Sequence, residues 1–328
     1  MDYQADPSSS TAPTNVSLGL RGHRLSLERE ALMELPESVL LCLFPNGVVL
    51  SAQRQPRLDG TQDVDDGEDV YFVDFDAKCL EFVLNFFATA RDAFYGPPQG
   101  PRRNLSESAQ AAANNIPNPL FLKQAIIVLR EELEYFVIPP KGKFNAAADS
   151  FIDEKHPPTT TADEVAGTDE AGKPNKTLLQ LKMDCGKALL ERKSIFTALQ
   201  RNVNRENNVA EQHLIDMLCM SGFERDDAWG YRSLEPNRCC IASIALVLLK
   251  TGITHPPITL PEGETVRPSV DVNAQQLATA QKLLLFWRKP ARKCWWDATE
   301  LTLDEGTDQA RQIKVWARRV WTLELSLI

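Results

Sequence analysis

Asp74 and Asp76, separated by Phe75, form the arrangement in this sequence most suited to chemistry. A buried strand that ends in Asp-x-Asp is where some phosphatases place a carboxylate nucleophile; the second aspartate handles the proton and Mg²⁺ screens the phosphate oxygens. Such enzymes need Thr or Val two residues after the second aspartate, whereas Lys78 stands there. We therefore expect both carboxylates to cap a helix that begins near Lys78, since its positive end favours negative charge.

Two other patterns fall short of a catalytic or metal site. Six residues separate Cys185 from Arg192, where a cysteine phosphatase needs five, and the segment between them has a helical pattern. Cys239 and Cys240 are adjacent, so a strand would point them to opposite sides, and no Cys-x-x-Cys pair occurs. The sequence therefore predicts a non-enzyme with no catalytic residues, no cofactor and no metal.

A basic and aromatic stretch, FWRKPARKCWWD over residues 286–297, stands out in a chain whose formal net charge is -9. Such a stretch fits an acidic partner segment or an anionic membrane surface. In the alternative interpretation the tryptophans are core residues and the cations lie in a solvated turn after Pro290. The candidate partner-binding residues are Trp287, Arg288, Lys289, Arg292, Lys293, Trp295 and Trp296.

Length, charge and cysteine usage restrict the class of protein. A chain of 328 residues suggests two domains. Its acidic balance argues against binding a nucleic-acid backbone, which needs clustered positive charge. No apolar run reaches the roughly 18 residues that span a bilayer, and the polar, acidic start is unlike a signal peptide. Seven scattered cysteines favour a reduced compartment, so we expect a cytoplasmic protein without a transmembrane segment.

The chain divides into four parts and reads as an α+β protein. We predict a disordered N-terminus over 1–15, a folded domain over 16–140, a linker over 141–176 and a second α+β domain over 177–328. In the first domain the predicted elements are a hairpin over 16–27, a helix over 26–44 with a fresh turn at Pro36, strands over 47–51 and 70–75, a polar insertion over 52–69, and helices over 78–90 and 118–140.

In the first domain we expect the strand over 70–75, which is apolar on both faces, to be central in the sheet.

The second domain combines amphipathic helices with alternating strands. In the second domain we predict helices over 177–199 and 272–287, a further helix that stops at Gly222, and strands at WGYRSL, CCIASIALVLL, CWWDATELTL and VWTLELSLI. Because CCIASIALVLL alternates poorly, a helix is the alternative for that segment.

The first 140 residues resemble the BTB/POZ fold, in the variant of potassium-channel tetramerisation domains and KCTD adaptors. The resemblance rests on LGLRGHRLSL, LPESVLLCLF, DGEDVYFVDFDAKCLEFVLNFF and LREELEYFVIPP, taken in order. It implies a domain that self-associates or docks a partner. The family motif falls here on Asp66, Gly67, Glu68, Phe72, Val73, Asp74 and Asp76, then Phe82, Val83, Leu84 and Phe86.

The later segments resemble fungal growth-regulation proteins of the Whi type. These segments are WGYRSLEPNR, KCWWD and VWARRVWTLELSLI. The resemblance implies an adaptor that activates a plasma-membrane phosphatase in the general stress response and restrains target-of-rapamycin signalling at low amino acids. It also implies protein partners: the phosphatase, which would recruit the chain to the plasma membrane, and a stress-response transcription factor. A homo-oligomer through the BTB-like domain is expected.

The partner-binding residues expected in the first domain are Asp74, Asp76, Phe82 and Phe86. The alternative function is that of a substrate adaptor for a cullin ubiquitin ligase, as in KCTD proteins. Co-purification separates the two hypotheses, because a cullin in the complex supports the second and a phosphatase the first.

Overall fold

The computed structural model describes residues 15–45, 70–113, 118–139, 176–206, 208–258, 269–304 and 310–328. Apart from Asn15 and Lys176, the predicted disordered N-terminus, the strand over 47–51, the insertion over 52–69 and the linker over 141–176 lie outside these residues, as do Asp66, Gly67 and Glu68 of the BTB motif. Helices and strands both occur throughout, which confirms the α+β class.

The described residues contain ten strands and eight α-helices. The strands are β1 (Asn15–Leu20), β2 (His23–Glu28), β3 (Val70–Val73), β4 (Ala125–Ile138), β5 (Tyr231–Leu234), β6 (Cys240–Leu248), β7 (Ile253–Thr254), β8 (Asp271–Val272), β9 (Ala291–Leu303) and β10 (Arg311–Leu327). The helices are α1 (Arg29–Met33), α2 (Glu37–Leu43), α3 (Ala77–Tyr95), α4 (Ser106–Ala113), α5 (Lys176–Leu190), α6 (Thr197–Glu206), α7 (Val209–Ser221) and α8 (Ala274–Trp287), with a 3₁₀ turn at Pro119–Phe121.

The chain forms two compact units, each assembled from separate stretches of sequence. The first unit takes residues 1–126, 252–290 and 324–328, and the second takes residues 127–251 and 291–323. No helix among the described residues is long and apolar enough to span a bilayer. The predicted division into domains at a linker stays a prediction, because nearly all of that linker lies outside the described residues.

The first unit contains a three-stranded sheet in the order β2-β1-β3. Strands β1 and β2 form the predicted hairpin, whose turn places Arg21 and Gly22 at φ values of 45° and 89°. Strand β3 pairs in parallel with β1, and Gly19 lies opposite Phe72. A Cβ on Gly19 would come within 2.5 Å of the Phe72 ring, so glycine makes room for it. The prediction that β3 is central is wrong among the described strands, where β3 lies at the edge.

A buried carboxylate holds the start of α2 in the first unit. Pro36 precedes α2 as its N-cap residue and supplies no side-chain hydrogen bond. Glu324, which is 3% exposed, instead accepts hydrogen bonds from the Ser38 backbone nitrogen at 3.0 and 3.2 Å and from Ser38 Oγ at 2.9 Å. Because a helix start leaves N–H groups without intrahelical partners, this carboxylate replaces an ordinary cap.

The second unit is organised on a sheet in the order β5-β6-β4-β10-β9, to which residues 127–138 contribute most of β4. A helix over 118–140 is therefore a wrong prediction. Apolar residues at Leu129 and Leu133 also suit a strand, in which the odd-numbered side chains from Ile127 to Tyr135 are buried together. The buried residues Leu181, Cys185 and Leu189 of α5 share a core with those of the sheet.

The predicted helix over 177–199 is broken in the structure. Helix α5 ends at Leu190 and α6 begins at Thr197. Between them Ser194 forms an antiparallel bridge with Ala228, and the Trp229 nitrogen donates to the Lys193 carbonyl at 3.0 Å. This pairing holds the connecting segment extended, so the helix cannot continue.

Helix α7 and the remaining strands agree with the sequence. Gly222 follows α7 at φ 152°, and its nitrogen donates to the Leu218 carbonyl at 3.2 Å, which confirms the predicted stop. The strands predicted from WGYRSL, CCIASIALVLL, CWWDATELTL and VWTLELSLI are present as β5, β6, β9 and β10, and the helix over 272–287 is present as α8.

Candidate functional site

The two aspartates of the Asp-x-Asp motif have different structural roles. Asp76 is the N-cap of α3, and its Oδ1 accepts a hydrogen bond from the Cys79 nitrogen at 3.0 Å, which confirms the predicted cap. Asp74 does not cap the helix: its Oδ1 accepts from Arg21 Nε at 2.6 Å, at the turn of the hairpin. The Asp74 side chain is 84% exposed, so this ion pair is solvated.

Phe82 and Phe86 lie one turn apart on α3. Both are half-buried, whereas Val83 and Phe87 on the neighbouring face are buried. The predicted amphipathic helix is therefore present, and the two phenylalanines lie at the border of its buried face. Their role in binding a partner stays a prediction.

The basic and aromatic stretch is divided between the two units. Trp287 ends α8 in the first unit and is buried there at 6% exposure, and Arg288 and Lys289 follow the helix. Residues 291–296 begin β9 in the second unit. The alternative that the tryptophans are core residues thus holds for Trp287, whereas Trp296 is 56% exposed.

Lys293 and Trp295 are tied into the second unit by specific contacts. Lys293 Nζ donates to Glu211 Oε1 at 2.8 Å and lies 5.4 Å from the centroid of the Trp295 ring. The Trp295 ring in turn packs edge-on against Trp321, with centroids 5.4 Å apart. Lys293 therefore neutralises a buried carboxylate and is not a free cation, while Arg292 is exposed.

Four arginines converge near the inward face of the sheet in the second unit, and we call them the arginine cluster. They come from four places: the segment after α5, helix α6, strand β5 and strand β10. Two carboxylates, one on β4 and one on β9, face them. The arginines are Arg192, Arg201, Arg232 and Arg319, and the carboxylates are Glu131 and Asp297.

Glu131 is the most buried acid of this group, at 1% exposure. Its Oε2 accepts from Arg319 Nη1 at 2.7 Å and from Trp321 Nε1 at 2.9 Å. Its Oε1 lies 3.5 Å from Arg232 Nη2 but has no hydrogen-bond partner of good geometry. One buried carboxylate therefore lies against two buried guanidinium groups and neutralises one of their two charges.

Asp297 balances the other side of the cluster. Arg201 Nη1 lies 3.3 and 3.2 Å from its two carboxylate oxygens, and Arg319 Nε lies 3.7 Å away. Arg319 Nε is buried without a hydrogen bond. Strand pairing sets this arrangement, because Trp295 lies opposite Arg319 and Asp297 lies opposite Ala317 in the β9–β10 ladder.

Arg192 and Arg232 are held mainly by neutral oxygens. Arg192 donates to Thr299 Oγ1 at 2.7 Å and to the Glu300 carbonyl at 2.9 Å. Arg232 donates to Ser243 Oγ at 2.9 Å and to the Arg192 carbonyl. Burial lowers the pKa of both arginines. For Arg232 the Glu131 carboxylate opposes this and Arg319 adds to it, and for Arg192 the charges of Arg201 and Arg319 add to it while Asp297 opposes it. Since arginine stays charged in proteins, the cluster keeps an excess of positive charge.

Two cavities open beside the arginine cluster. The inner cavity, about 20 Å³, is lined by the four arginines together with Ser194, Thr197 and Trp229. The outer cavity, about 350 Å³, shares Ser194, Thr197 and Arg201 with the inner one. Its further lining includes Phe196, Gln200, Asn204 and Arg225. The two cavities are therefore neighbours, and the arginines lie at their inner end.

No contiguous motif in the sequence predicts this cluster, although β10 carries a signal for it. Ile313, Val315, Ala317, Arg319 and Trp321 alternate along one face of the strand. A charged residue at an inward position of such a strand needs a buried partner. The partner, Glu131, lies in a segment whose spacing predicts a helix, so the sequence does not indicate the pair.

Cys185, considered above as a nucleophile, lies in the core of the second unit. Cys185 is buried; burial, followed by the nearby Asp184 carboxylate, raises the pKa of its thiol to about 11. Within the ranges that the structure describes, no group of three or more His, Cys, Asp or Glu side chains could hold a metal ion.

The fold and the cluster thus define an α+β protein with a buried, cation-rich cavity, and sequence comparison gives its family. A WHI2-like protein of Schizosaccharomyces pombe is 33% identical across the whole of this chain and 90% of the relative. A growth regulation protein of Saccharomyces cerevisiae is 26% identical across 95% of this chain and 91% of the relative. No family model matches the sequence. The chain belongs to the family of WHI2-like proteins.

Proposed function

We propose that this chain is a non-enzymatic adaptor that regulates growth by binding other proteins. The name of the Saccharomyces cerevisiae relative, growth regulation protein, supports the growth-regulatory part. The resemblance of residues 16–140 to BTB/POZ domains supports the adaptor part, because such domains act by docking and self-association. The roles of Asp74 and Asp76, as a surface ion pair and a helix cap, give both residues a purpose without catalysis.

The observation that carries the proposal is an exposed aromatic surface on the second unit. Phe136, Trp296 and Trp316 are 46%, 56% and 41% exposed. Trp316 pairs with Ala298, and Trp296 pairs with Arg318, which bonds Glu134 at 2.9 Å. Since alternate strand residues share a face, all three aromatics lie on the face opposite the arginine cluster. We call Phe136, Trp296 and Trp316 the aromatic face.

An exposed surface of this composition suits a protein partner. Contiguous apolar side chains rimmed by charges are characteristic of interaction sites, and tryptophan and tyrosine are enriched among residues that dominate binding energy. The rim here is the Arg318–Glu134 ion pair and Lys314, whose Nζ lies 6.0 Å from the Trp316 ring centroid. The proposed occupant is a folded protein with an apolar patch.

The resemblance to Whi-type proteins supports a narrower choice of occupant. In our proposal it is a plasma-membrane phosphatase of the general stress response, which the adaptor activates in the cytoplasm or at the membrane. The same adaptor restrains target-of-rapamycin signalling when amino acids are low, and the BTB-like part of the chain contributes self-association.

Affinity purification of the full chain tests the proposal. We compare the wild type, the double variant Trp296→Thr/Trp316→Thr, and Lys314→Thr as a control on the same face. The full chain is needed because Glu324 holds the start of α2 through Ser38. We expect a phosphatase with the wild type and the control, and its loss with the double variant.

Three results would contradict this expectation in different ways. A phosphatase retained by the double variant would remove the aromatic face from the proposal. A cullin recovered in place of a phosphatase would support the ubiquitin-ligase alternative. Hydrolysis of a phosphate ester by the pure protein, abolished by Asp74→Asn, would end the adaptor hypothesis.

A further inference from the structure

The arginine cluster carries more positive charge than its carboxylates neutralise. Four guanidinium groups face two carboxylates, which leaves an excess of two positive charges. Arg232 and Arg319 are buried, with side chains 6% and 11% exposed. Uncompensated charge away from water is costly, so an anion entering here would be strongly favoured.

We propose that the inner and outer cavities together bind a small organic phosphate monoester. A phosphate monoester carries about -1.5 to -2 charges at neutral pH, which matches the excess of the cluster. Guanidinium groups present forked donors that suit phosphate oxygens, and such charge-assisted bonds are about twice as strong as neutral ones. A carboxylate would neutralise only half of the excess.

The cavity volumes distinguish the two ends of this ligand. The inner cavity, about 20 Å³, has room for one water-sized oxygen. The outer cavity, about 350 Å³, lies within the range of about 300–1,000 Å³ typical of small-molecule sites. We therefore place one phosphate oxygen at the arginines and the organic part in the outer cavity. Phe196, Gln200 and Asn204 there offer an aromatic surface and two amides.

The local backbone favours the same ligand. Thr197 and Ala198, the first two residues of the ten-residue helix α6, line the inner cavity. The start of a helix presents free N–H groups and a partial positive charge, which attract phosphate. Ser194 and Thr197 add hydroxyl groups that line both cavities.

The shape favours a free molecule over a phosphorylated protein segment. The arginine cluster lies at the inner end of the two cavities, where a small molecule can enter. The aromatic face, which we propose for a protein partner, lies on the opposite side of the sheet. The proposal therefore concerns ligand binding and does not depend on the adaptor function.

Binding to the purified full chain is measured by calorimetry and by thermal unfolding. The probes are phenyl phosphate, inorganic phosphate, benzoate and a short phosphoserine peptide, at equal ionic strength. We expect phenyl phosphate to bind about tenfold or more tightly than inorganic phosphate, because its ring is buried in the outer cavity. Benzoate should bind weakly.

Three variants test whether phenyl phosphate binds at the arginine cluster. Arg192→Gln removes one cation and should weaken phenyl phosphate binding about tenfold or more. Thr197→Glu places a carboxylate at the start of α6, where it is favourable for the helix, and should abolish binding without unfolding the protein. Thr197→Gln is its uncharged control, and we expect it to bind within about threefold of the wild type, since the arginine cluster keeps its charge.

An arginine outside the cluster provides a control for the loss of positive charge. Arg238→Gln, at a side chain 65% exposed outside the cluster, should leave the affinity unchanged. The proposal is overturned if phenyl phosphate does not bind, if Thr197→Glu binds it normally, or if inorganic phosphate binds equally well. Binding of the phosphoserine peptide alone would also overturn it, and would assign the cavity to a phosphorylated partner.

Discussion

Replacing Glu131 by glutamine tests whether the buried charges hold the second unit together. The substitution keeps the side-chain shape and one acceptor oxygen for Trp321 Nε1, which lies 2.9 Å from the carboxylate. It removes the charge that pairs with Arg319 at 2.7 Å and Arg232 at 3.5 Å. Breaking a buried ion pair by removing one partner costs about 3–5 kcal/mol. Because the bond to Trp321 is retained, we expect a loss of about 3 kcal/mol.

Glu134→Gln is a matched control three residues along the same strand. Glu134 lies on the opposite face and pairs with Arg318 at 2.9 Å, with side chains 37% and 42% exposed. A surface pair of this kind contributes at most about 1 kcal/mol. The same chemical change on the same strand thus separates buried from solvated charge.

Urea unfolding followed by tryptophan fluorescence measures both variants. Trp321 lies 5.4 Å from Trp295 and 5.9 Å from Trp229 by ring centroids, so three of the six tryptophans in the chain report on the region around Glu131. We expect Glu131→Gln to lower the transition midpoint without changing the slope, since the unfolded surface stays the same. If Glu131→Gln and Glu134→Gln lower the free energy of unfolding by the same amount, the Glu131 carboxylate does not neutralise buried cations and the charge argument fails.

The remaining predictions concern other parts of the chain. Asp76→Ala should cost about 1 kcal/mol in urea unfolding through loss of the α3 cap, whereas Asp74→Ala should cost less than about 1 kcal/mol; equal costs would contradict these roles. Gly186→Ala should lower the melting temperature although alanine favours helices, because its Cβ would overlap the Tyr135 hydroxyl; a rise would show that α5 can shift. Burial, followed by a neighbouring arginine, lowers the pKa of His255 to about 4 from an ordinary value near 6.5. The unfolded chain then binds more protons between these values, so stability should fall as the pH drops from about 6.5 to 4. The melting temperature of His255→Asn should depend less on pH over that window, and an unchanged slope would assign the dependence to other groups.

The regular elements of this protein could be predicted where apolar and polar residue types alternate along the sequence. Strand β10 shows this well: Trp321, Leu323 and Leu325 alternate with Thr322 and Glu324, which predicted the strand although all five residues are buried. Strand β4 was missed because its first five residues, from Ala125 to Leu129, are all buried. Alternation disappears in such a segment, and leucines four residues apart then suggest a helix.

The arginine cluster could not be predicted because its members are far apart in the chain. Arg192 and Arg319 are separated by more than a hundred residues, and each alone resembles a solvated cation. The sheet order that brings β4 beside β10 places Glu131 against Arg319, and no local pattern specifies that order. The basic stretch at residues 286–297 was visible because it is contiguous, yet its residues divide between two units.

The excess charge of the cluster connects stability to ligand binding in a measurable way. Well-packed apolar residues in place of buried ion pairs are often neutral or stabilising, so the cluster is not explained by folding alone. A ligand that binds only the folded state stabilises it by about 2.7 kcal/mol at one hundred times its dissociation constant. Glu131→Gln adds one more uncompensated positive charge beside the cavity, so phenyl phosphate should raise the melting temperature of this variant more than that of the wild type. Glu134→Gln, on the other face, should respond as the wild type does. An equal response in all three proteins would mean that the phosphate is not bound next to Glu131.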